Sequence, residues 1–256
     1  MKHKRWITGL ALLLCLLLPA QALGTGALYQ VSTLQALMRG DYYGAVTVGD
    51  LLTQGDTGLG TFDALDGEMI VLDGVAYRAA YDGSVAAVGA EETSPFANVT
   101  FLGAGEAAEA TFEGGFDGLL AALSALVPDR NLPVVFRVAG TFTGVTVRSV
   151  PAQAEPYAPL TEVVKNQAVF TAAQAQGVIV GFRFPQYMGD INTAGYHLHF
   201  LSEDHTFGGH LLDVTSGEIE IRCGELDTLN LVLPESISLY GVAETTDAEI
   251  EAVESH

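Results

Sequence analysis

The hydrophobic and polar positions of this chain follow the two-residue period of β-strands more often than the period of helices. In the first half, alternation indicates strands at residues 68–72, 75–81 and 84–88. The pairs Asp73-Gly74 and Asp82-Gly83 between these segments are typical of tight hairpin turns. We therefore expect three neighbouring antiparallel strands in this region.

Helical spacing appears in four shorter segments. Residues 32–40 place their large apolar side chains on one face, with Ser32 as the expected N-cap and Gly40 as the end. The other helical patterns cover residues 48–52, 116–126 and 161–171. Helices are therefore a minor part of the expected fold.

The second half of the chain is the richer in strands. Further strands are expected at residues 97–102, 110–112, 134–139, 141–150, 177–184, 195–201, 210–214, 218–222 and 226–233, with residues 134–150 forming a hairpin. Short strands with few helices between them favour an antiparallel sheet or barrel within a strand-rich α+β fold. The stretch Asn131-Leu-Pro133 is the expected boundary between two lobes.

The first 22 residues have the pattern of a signal peptide rather than of a folded element. Basic residues precede an apolar run at 7–18, and Ala20-Gln-Ala22 is a small-residue cleavage signal. The run is short for a permanent anchor, which needs about 20 apolar residues. We predict a secreted protein with a lobe at 23–131 and a second lobe at 132–256, with no stable membrane association after cleavage.

Charge and cysteine content narrow the function classes. The whole chain has a formal net charge of −20, and residues 1–22 contain basic residues but no acidic one. So acidic a chain does not bind nucleic acid or anionic membrane by electrostatics. Cys223 is the one cysteine outside the leader, so an internal disulfide is excluded. Its phase in an alternating segment predicts a buried small hydrophobic residue.

Histidines cluster between residues 195 and 210. Alternation along a strand puts His197 and His199 on one face, and a turn after residue 202 would return His210 beside them. Three neutral imidazoles suit Zn²⁺ or a similar divalent ion with one position open to substrate. We interpret His205 as an exposed loop residue. The neighbouring acids are of a type that can orient imidazole N–H groups, but we interpret them as solvated loop residues too: Asp190, Glu203 and Asp204.

The chain resembles the α-acetolactate decarboxylase family in several stretches that occur in the family's order. They are Leu28-Tyr-Gln-Val-Ser-Thr-Leu34, Gly58-Leu-Gly-Thr-Phe62, Leu65-Asp-Gly-Glu-Met69, Thr146-Val-Arg-Ser-Val-Pro151, Gly195-Tyr-His-Leu-His-Phe200 and Gly208-Gly-His-Leu-Leu-Asp213. The resemblance implies zinc-dependent conversion of 2-acetolactate to acetoin and CO₂. It also implies a mixed sheet in the first lobe, a barrel-like antiparallel sheet in the second, and a homodimer as a common state.

The same resemblance implies roles for individual residues. His197, His199 and His210 match the metal ligands. Glu68 and Arg148 match residues that face the metal, with the arginine suited to grip the substrate carboxylate. A further glutamate comes from the C-terminal tail, and its best matches are Glu254 and, as the alternative, Glu251. Glu68 and Glu254 both remain candidates for the proton donor.

Two other functions fit part of the pattern. A cupin-like metalloenzyme would use histidines with a carboxylate close behind the His-x-His pair, where Glu203 is a poor match. A non-catalytic extracellular domain that binds a metal or a hydroxy acid would not need Arg148 together with two converging glutamates.

Overall fold

The computed structural model describes residues 25–103, 107–236 and 246–254. The predicted signal peptide lies outside the described residues. The strands are β1 (Thr25–Val31), β2 (Val46–Thr47), β3 (Thr57–Thr61), β4 (Glu68–Leu72), β5 (Val75–Ala79), β6 (Val85–Ala87), β7 (Thr93–Ser94), β8 (Ala97–Thr100), β9 (Ala108–Phe112), β10 (Val134–Ser149), β11 (Ala168–Phe184), β12 (Gly195–Ser202), β13 (Gly208–Asp213) and β14 (Ser216–Val232). The helices are α1 (Leu34–Met38), α2 (Val48–Leu52), α3 (Gly115–Leu126), α4 (Leu160–Val163) and α5 (Asp247–Glu254), and 3₁₀ turns occur at Asp63–Leu65, Val164–Asn166 and Gln186–Met188.

Among the described residues, strands from both halves of the chain join one 12-stranded sheet in the order β11-β12-β13-β10-β14-β1-β8-β3-β4-β5-β6, with β9 paired to β14. The sheet is mixed, because β1 runs parallel to β14 while its other neighbour, β8, is antiparallel. A strand-rich α+β fold with few helices is thereby confirmed.

The predicted β-meander is confirmed as the neighbouring strands β4, β5 and β6. Its first turn has both Asp73 and Gly74 at positive φ, which suits a two-residue hairpin turn. Helix α3 also matches its prediction and ends before Pro128. Local patterning thus predicted the elements whose turns are marked by glycine or proline.

The predicted hairpin at residues 134–150 is wrong. The chain continues through Gly140 as the single strand β10, which pairs with β11 along one edge and with β14 and β13 along the other. Gly140 does not form a turn: a Cβ atom there would collide with the carbonyl oxygen of Glu218 in β14. The glycine therefore permits close strand approach within the sheet. The two strands predicted at 218–222 and 226–233 are likewise one strand, β14.

The predicted helix at residues 161–171 is only half right. Helix α4 and the following 3₁₀ turn end at Asn166, and β11 begins at Ala168 opposite Ser149 of β10. Pairing along the whole length of β10 outweighs the weak helical spacing of this segment. The predicted cap of α1 is also displaced by one residue, since the Thr33 side chain accepts the hydrogen bond from the Ala36 amide.

Three apolar clusters pack around the strands that carry the three histidines. The first lies under α3, on one face of β10, β12 and β13. The second lies between β4–β5 and β11–β12, which pack face to face. The third joins α1, α4 and α5. The polar faces of β10, β12 and β13 consequently turn away from the first cluster and toward β4 and the three helices.

Two further observations concern the surroundings of the sheet. Cys223 is half-buried against the first cluster, and burial raises the pKa of its thiol to about 11. Within the described part of the chain, no helix is long and apolar enough to cross a membrane.

Candidate active site

Three histidines meet on adjacent antiparallel strands. His199 of β12 lies directly opposite His210 of β13, and His197 lies two residues earlier on the same face of β12. One ligand atom from each ring falls within 4.8 Å of the other two. All three rings are buried. The predicted histidine cluster is therefore present, with donor atoms of the number and type that a divalent metal requires.

Strand alternation explains why the rings converge. On β12, Leu198 and Phe200 point into the cluster under α3, so His197 and His199 point the other way. On β13 and β10, Leu211 and Val147 occupy that same cluster, which turns His210 and Arg148 toward the histidine side. Burial of the alternate apolar residues thus aims the polar ones.

The Gly-Gly pair before His210 has a specific geometric role. Gly209 has φ +147°, and a Cβ atom there would collide with the carbonyl oxygen of Arg148 on β10. Only glycine lets β13 pass this close to β10 in that conformation. The pair therefore fixes His210 opposite Arg148 in the strand register.

A backbone carbonyl orients one of the three rings. The Nδ1 atom of His199 lies 2.8 Å from the carbonyl oxygen of Met69 in β4, so Nδ1–H donates and the lone pair is at Nε2. Burial, and next the neighbouring His197, lower the pKa of His199 well below its ordinary value. The ring is consequently neutral at physiological pH. Its buried Nε2 makes no hydrogen bond within the described part of the chain, as suits a metal ligand.

Glu68 reaches the histidines from the opposite layer. On β4, Met69 and Val71 pack toward α2, whereas Ile70 and Leu72 face β11 and β12. Glu68 has the phase of Ile70, and its Oε2 lies 3.6 Å from Nε2 of His199. A buried carboxylate is therefore held beside the donor atom where a metal would bind.

Arg148 brings a positive charge to the same place. Its side chain is buried, and one guanidinium nitrogen donates to the carbonyl oxygen of Val253 in α5 at 2.8 Å. Its Nε is buried with no hydrogen bond among the described residues. A guanidinium fixed at one end, with donors to spare, is suited to grip a carboxylate.

These groups surround a small, partly open cavity of about 30 Å³. Its polar lining comes from Thr61, Glu68, Arg148, His197 and His210. Its apolar lining consists of Leu37, Leu65, Phe96, Val150, Leu160 and Val253. All six apolar lining residues belong to the cluster that joins α1, α4 and α5, whereas the five polar ones lie on strands of the sheet. The cavity therefore has one polar and one apolar wall, the latter completed by the C-terminal helix.

Of the two candidate glutamates in the C-terminal tail, the structure describes the side chain of Glu251 alone. Glu251 is exposed and borders a different groove, which runs along α3. Glu254 is the last residue of α5, next to Val253, and its side chain lies outside the described residues. The position of Glu251 argues against it as the glutamate that faces the metal.

The remaining polar residues of the histidine-rich stretch form the turn between β12 and β13. His205 adopts φ +55° in this turn, and its ring centroid lies 4.6 Å from that of Tyr77. Asp204 accepts hydrogen bonds from Ser202 and Thr206, which lower its pKa. These contacts agree with the interpretation of both residues as parts of a surface loop.

Sequence reasoning missed two backbone contributions. The carbonyl groups of Met69 and Val253 hold His199 and Arg148, and a carbonyl leaves no residue-type signal in a sequence. The position of Met69 immediately after Glu68 offered one indirect clue, because a strand that carries a site residue can also supply its neighbour's carbonyl.

Three buried imidazole donors beside a guanidinium and a carboxyl group are what metal-dependent chemistry on a small acid needs, so the fold and site define a candidate metalloenzyme. Comparison with known proteins shows which family the chain belongs to. The sequence model described as alpha-acetolactate decarboxylase matches residues 28–243. The chain belongs to the alpha-acetolactate decarboxylase family, as its motifs predicted.

Individual relatives agree over most of their length. The alpha-acetolactate decarboxylase of Methanosarcina mazei is 43% identical over 208 residues, which are 81% of this chain and 71% of the relative. That of Klebsiella aerogenes is 38% identical over 237 residues, 89% of each chain. The crystal structure of the Bacillus subtilis alpha-acetolactate decarboxylase superposes with a TM-score of 0.85 at 33% identity, covering 90% of this chain and all of the other.

Proposed function

We propose that this protein is an acetolactate decarboxylase that converts 2-acetolactate to acetoin and CO₂ with a bound divalent metal, zinc being the first candidate. The observation that carries the proposal is the convergence of three histidine ligand atoms beside one small cavity that Glu68 and Arg148 also line. Family membership supplies the reaction, and neither the cupin-like nor the binding-domain alternative accounts for that membership.

His197, His199 and His210 would hold the metal. The donor set fits, because all three are imidazoles and the tautomer of His199 leaves Nε2 available. A bound divalent ion would supply Lewis-acid stabilisation of the negative charge that remains when CO₂ departs.

Arg148 would bind the substrate carboxylate and set its direction. The guanidinium is buried beside His210 in the strand register, so a carboxylate that it holds lies next to the ligand cluster. The apolar wall excludes water around that carboxylate. Exclusion of water favours the step in which an anion becomes neutral CO₂.

A carboxyl group would then protonate the product carbon. Glu68 is supported by its 3.6 Å separation from Nε2 of His199. Glu254 is supported by its neighbour Val253, which borders the cavity and accepts from Arg148. A carboxyl against an apolar wall is suited to act as an acid. We retain both as candidates for the donor.

One assay tests the function. The chain without residues 1–22 would be stripped of metal with a chelator, divided, and given zinc or no metal before racemic 2-acetolactate is added. We expect acetoin from the zinc-loaded sample and nearly none from the stripped one, with bound zinc quantified in parallel. A zinc-loaded sample that forms no acetoin above the uncatalysed rate rejects the assignment.

We further propose that the protein is exported by the signal peptide at residues 1–22, on the support of the basic, apolar and small-residue segments. N-terminal sequencing of protein recovered from culture medium should give a start after Ala22. An intact Met1 on the cell-associated protein would exclude cleavage.

We also propose a barrel-like second lobe, a division of the chain near residue 131 and a homodimer. The support for a barrel-like second lobe is that β10 pairs with β11 on one edge and with β13 on the other, while β12 joins β11 to β13. The division near residue 131 and the homodimer rest on the sequence and its resemblance. Light scattering after size exclusion distinguishes a dimer from a monomer.

A further inference from the structure

The division of the cavity into two walls bears on substrate choice, on the basis of the proposed function. The carboxylate, hydroxyl and ketone oxygens of 2-acetolactate all require polar partners, which lie on one wall. Its alkyl groups are left for the apolar wall. That wall therefore has the chemistry to discriminate among 2-hydroxy-3-oxo acids that differ in the alkyl group on C2.

Val253 is the apolar residue most directly tied to the carboxylate grip. Its side chain is 3% exposed and borders the cavity, while its own carbonyl accepts the hydrogen bond from Arg148 at 2.8 Å. Carbon C2 carries both the carboxylate and the alkyl group. A carboxylate on Arg148 consequently brings the C2 alkyl group close to Val253.

We propose that Val253 is the specificity-determining residue that limits the size of the alkyl group on C2. The cavity has little spare room, because its volume of about 30 Å³ holds about two or three water molecules. A substrate fills that space, so one added methylene meets the wall. A methylene in a tight apolar pocket typically changes kcat/KM by about 10–200-fold.

Ile250 provides a matched control on the same helix. It lies one turn before Val253 and packs into the same apolar cluster with α1 and α4. Ile250 borders the groove along α3, whereas Val253 borders the histidine cavity. Shortening Ile250 weakens the docking of α5 as shortening Val253 does, but leaves the cavity wall unchanged.

The test compares wild type, Val253→Ala and Ile250→Ala on 2-acetolactate and on its 2-ethyl homologue. We expect Val253→Ala to shift the ratio of kcat/KM toward the ethyl substrate by about tenfold or more, and Ile250→Ala to leave the ratio unchanged within about twofold. This ratio is independent of the folded fraction of each variant. An unchanged ratio in Val253→Ala, or an equal shift in both variants, overturns the proposal.

Two additions keep the test decisive. Val253→Ile narrows the wall and should move the ratio in the opposite direction, which covers the case in which Val253→Ala fails to fold. Calorimetric titration with unreactive analogues, in which the C3 ketone is reduced to an alcohol, should show the same order of Kd values for methyl and ethyl forms. A wild type that converts neither substrate rejects the proposed function itself, whereas turnover with an unaltered ratio rejects only the role of Val253.

Discussion

At the scale of single residues, the metal ligands can be separated from the other histidines by experiment. His199→Ala removes a buried ring whose Nε2 points to the cluster, so we expect bound zinc to fall to near zero and acetoin formation to fall by at least about 100-fold. Metal content by mass spectrometry and a circular dichroism spectrum check the result.

The matched control for that variant is His205→Ala in the neighbouring turn. His205 contacts Tyr77 rather than the ligand cluster, so zinc content and rate should stay at wild-type values. Loss of zinc from His205→Ala, or retention of zinc by His199→Ala, would contradict the ligand assignment.

Arg148 is the second residue whose chemistry can be isolated. Arg148→Lys keeps the charge but loses the planar fork that serves the Val253 carbonyl and a carboxylate together. We expect unchanged zinc content and a kcat/KM lower by about 100-fold. Arg137→Lys, on the same strand but paired with Asp73, should retain full turnover, and equal losses in both variants would argue against the carboxylate grip.

At the scale of elements, the wrong hairpin at residues 134–150 and the overlong helix at residues 161–171 have a common physical cause. Glycine is a common turn residue, yet Gly140 lies inside strand β10. Residues 161–171 have partial helical spacing, yet they lead into strand β11, which begins at Ala168. Both strands are longer than the local patterns indicate. Strand length is set by the partner, because β10, β11 and β14 support one another over their full extent. Such long-range pairing leaves no mark in a window of ten residues.

The close approach at Gly140 gives a stability prediction for β10. Gly140→Ala forces a Cβ atom against the Glu218 carbonyl of β14, and we expect the free energy of unfolding to fall by about 1–3 kcal/mol. Gly89→Ala is the control, since a Cβ atom there has no neighbour within 4 Å, and its effect should stay within about 0.5 kcal/mol. Urea denaturation measures the free energy of unfolding of both variants. Equal values would show that β14 moves to accommodate the added Cβ atom without loss of stability.

At the scale of the whole molecule, the proposed lobes share structure across residue 131. Helix α3 and strand β9 from the first segment cover the core of the second, and β1 pairs with β14. We therefore expect residues 132–256 alone to lack a cooperative thermal transition, while the chain from residue 23 shows one. Near-UV circular dichroism monitors both, and native-like melting of the fragment would indicate independent lobes.

The part of the candidate site that lies on two consecutive strands could be predicted from the sequence. His197, His199 and His210 share two adjacent strands and a short turn, so alternation alone brings them together. Glu68 and Arg148 come from strands that are distant in sequence and meet the histidines only through face-to-face packing and strand order. Spacing offers no means to find them, and the family resemblance supplied them.

The parallel pairing of β1 with β14 also sets the order of events during synthesis. Thr25 finds its partner at Glu225 and Val31 finds Val232, so the opening segment emerges from the ribosome long before its neighbour has been translated. Contacts of such separation close late in folding. The edge of β1 that faces β14 must therefore stay unpaired until residues 225–232 have been made, whereas its other edge can join β8 much earlier.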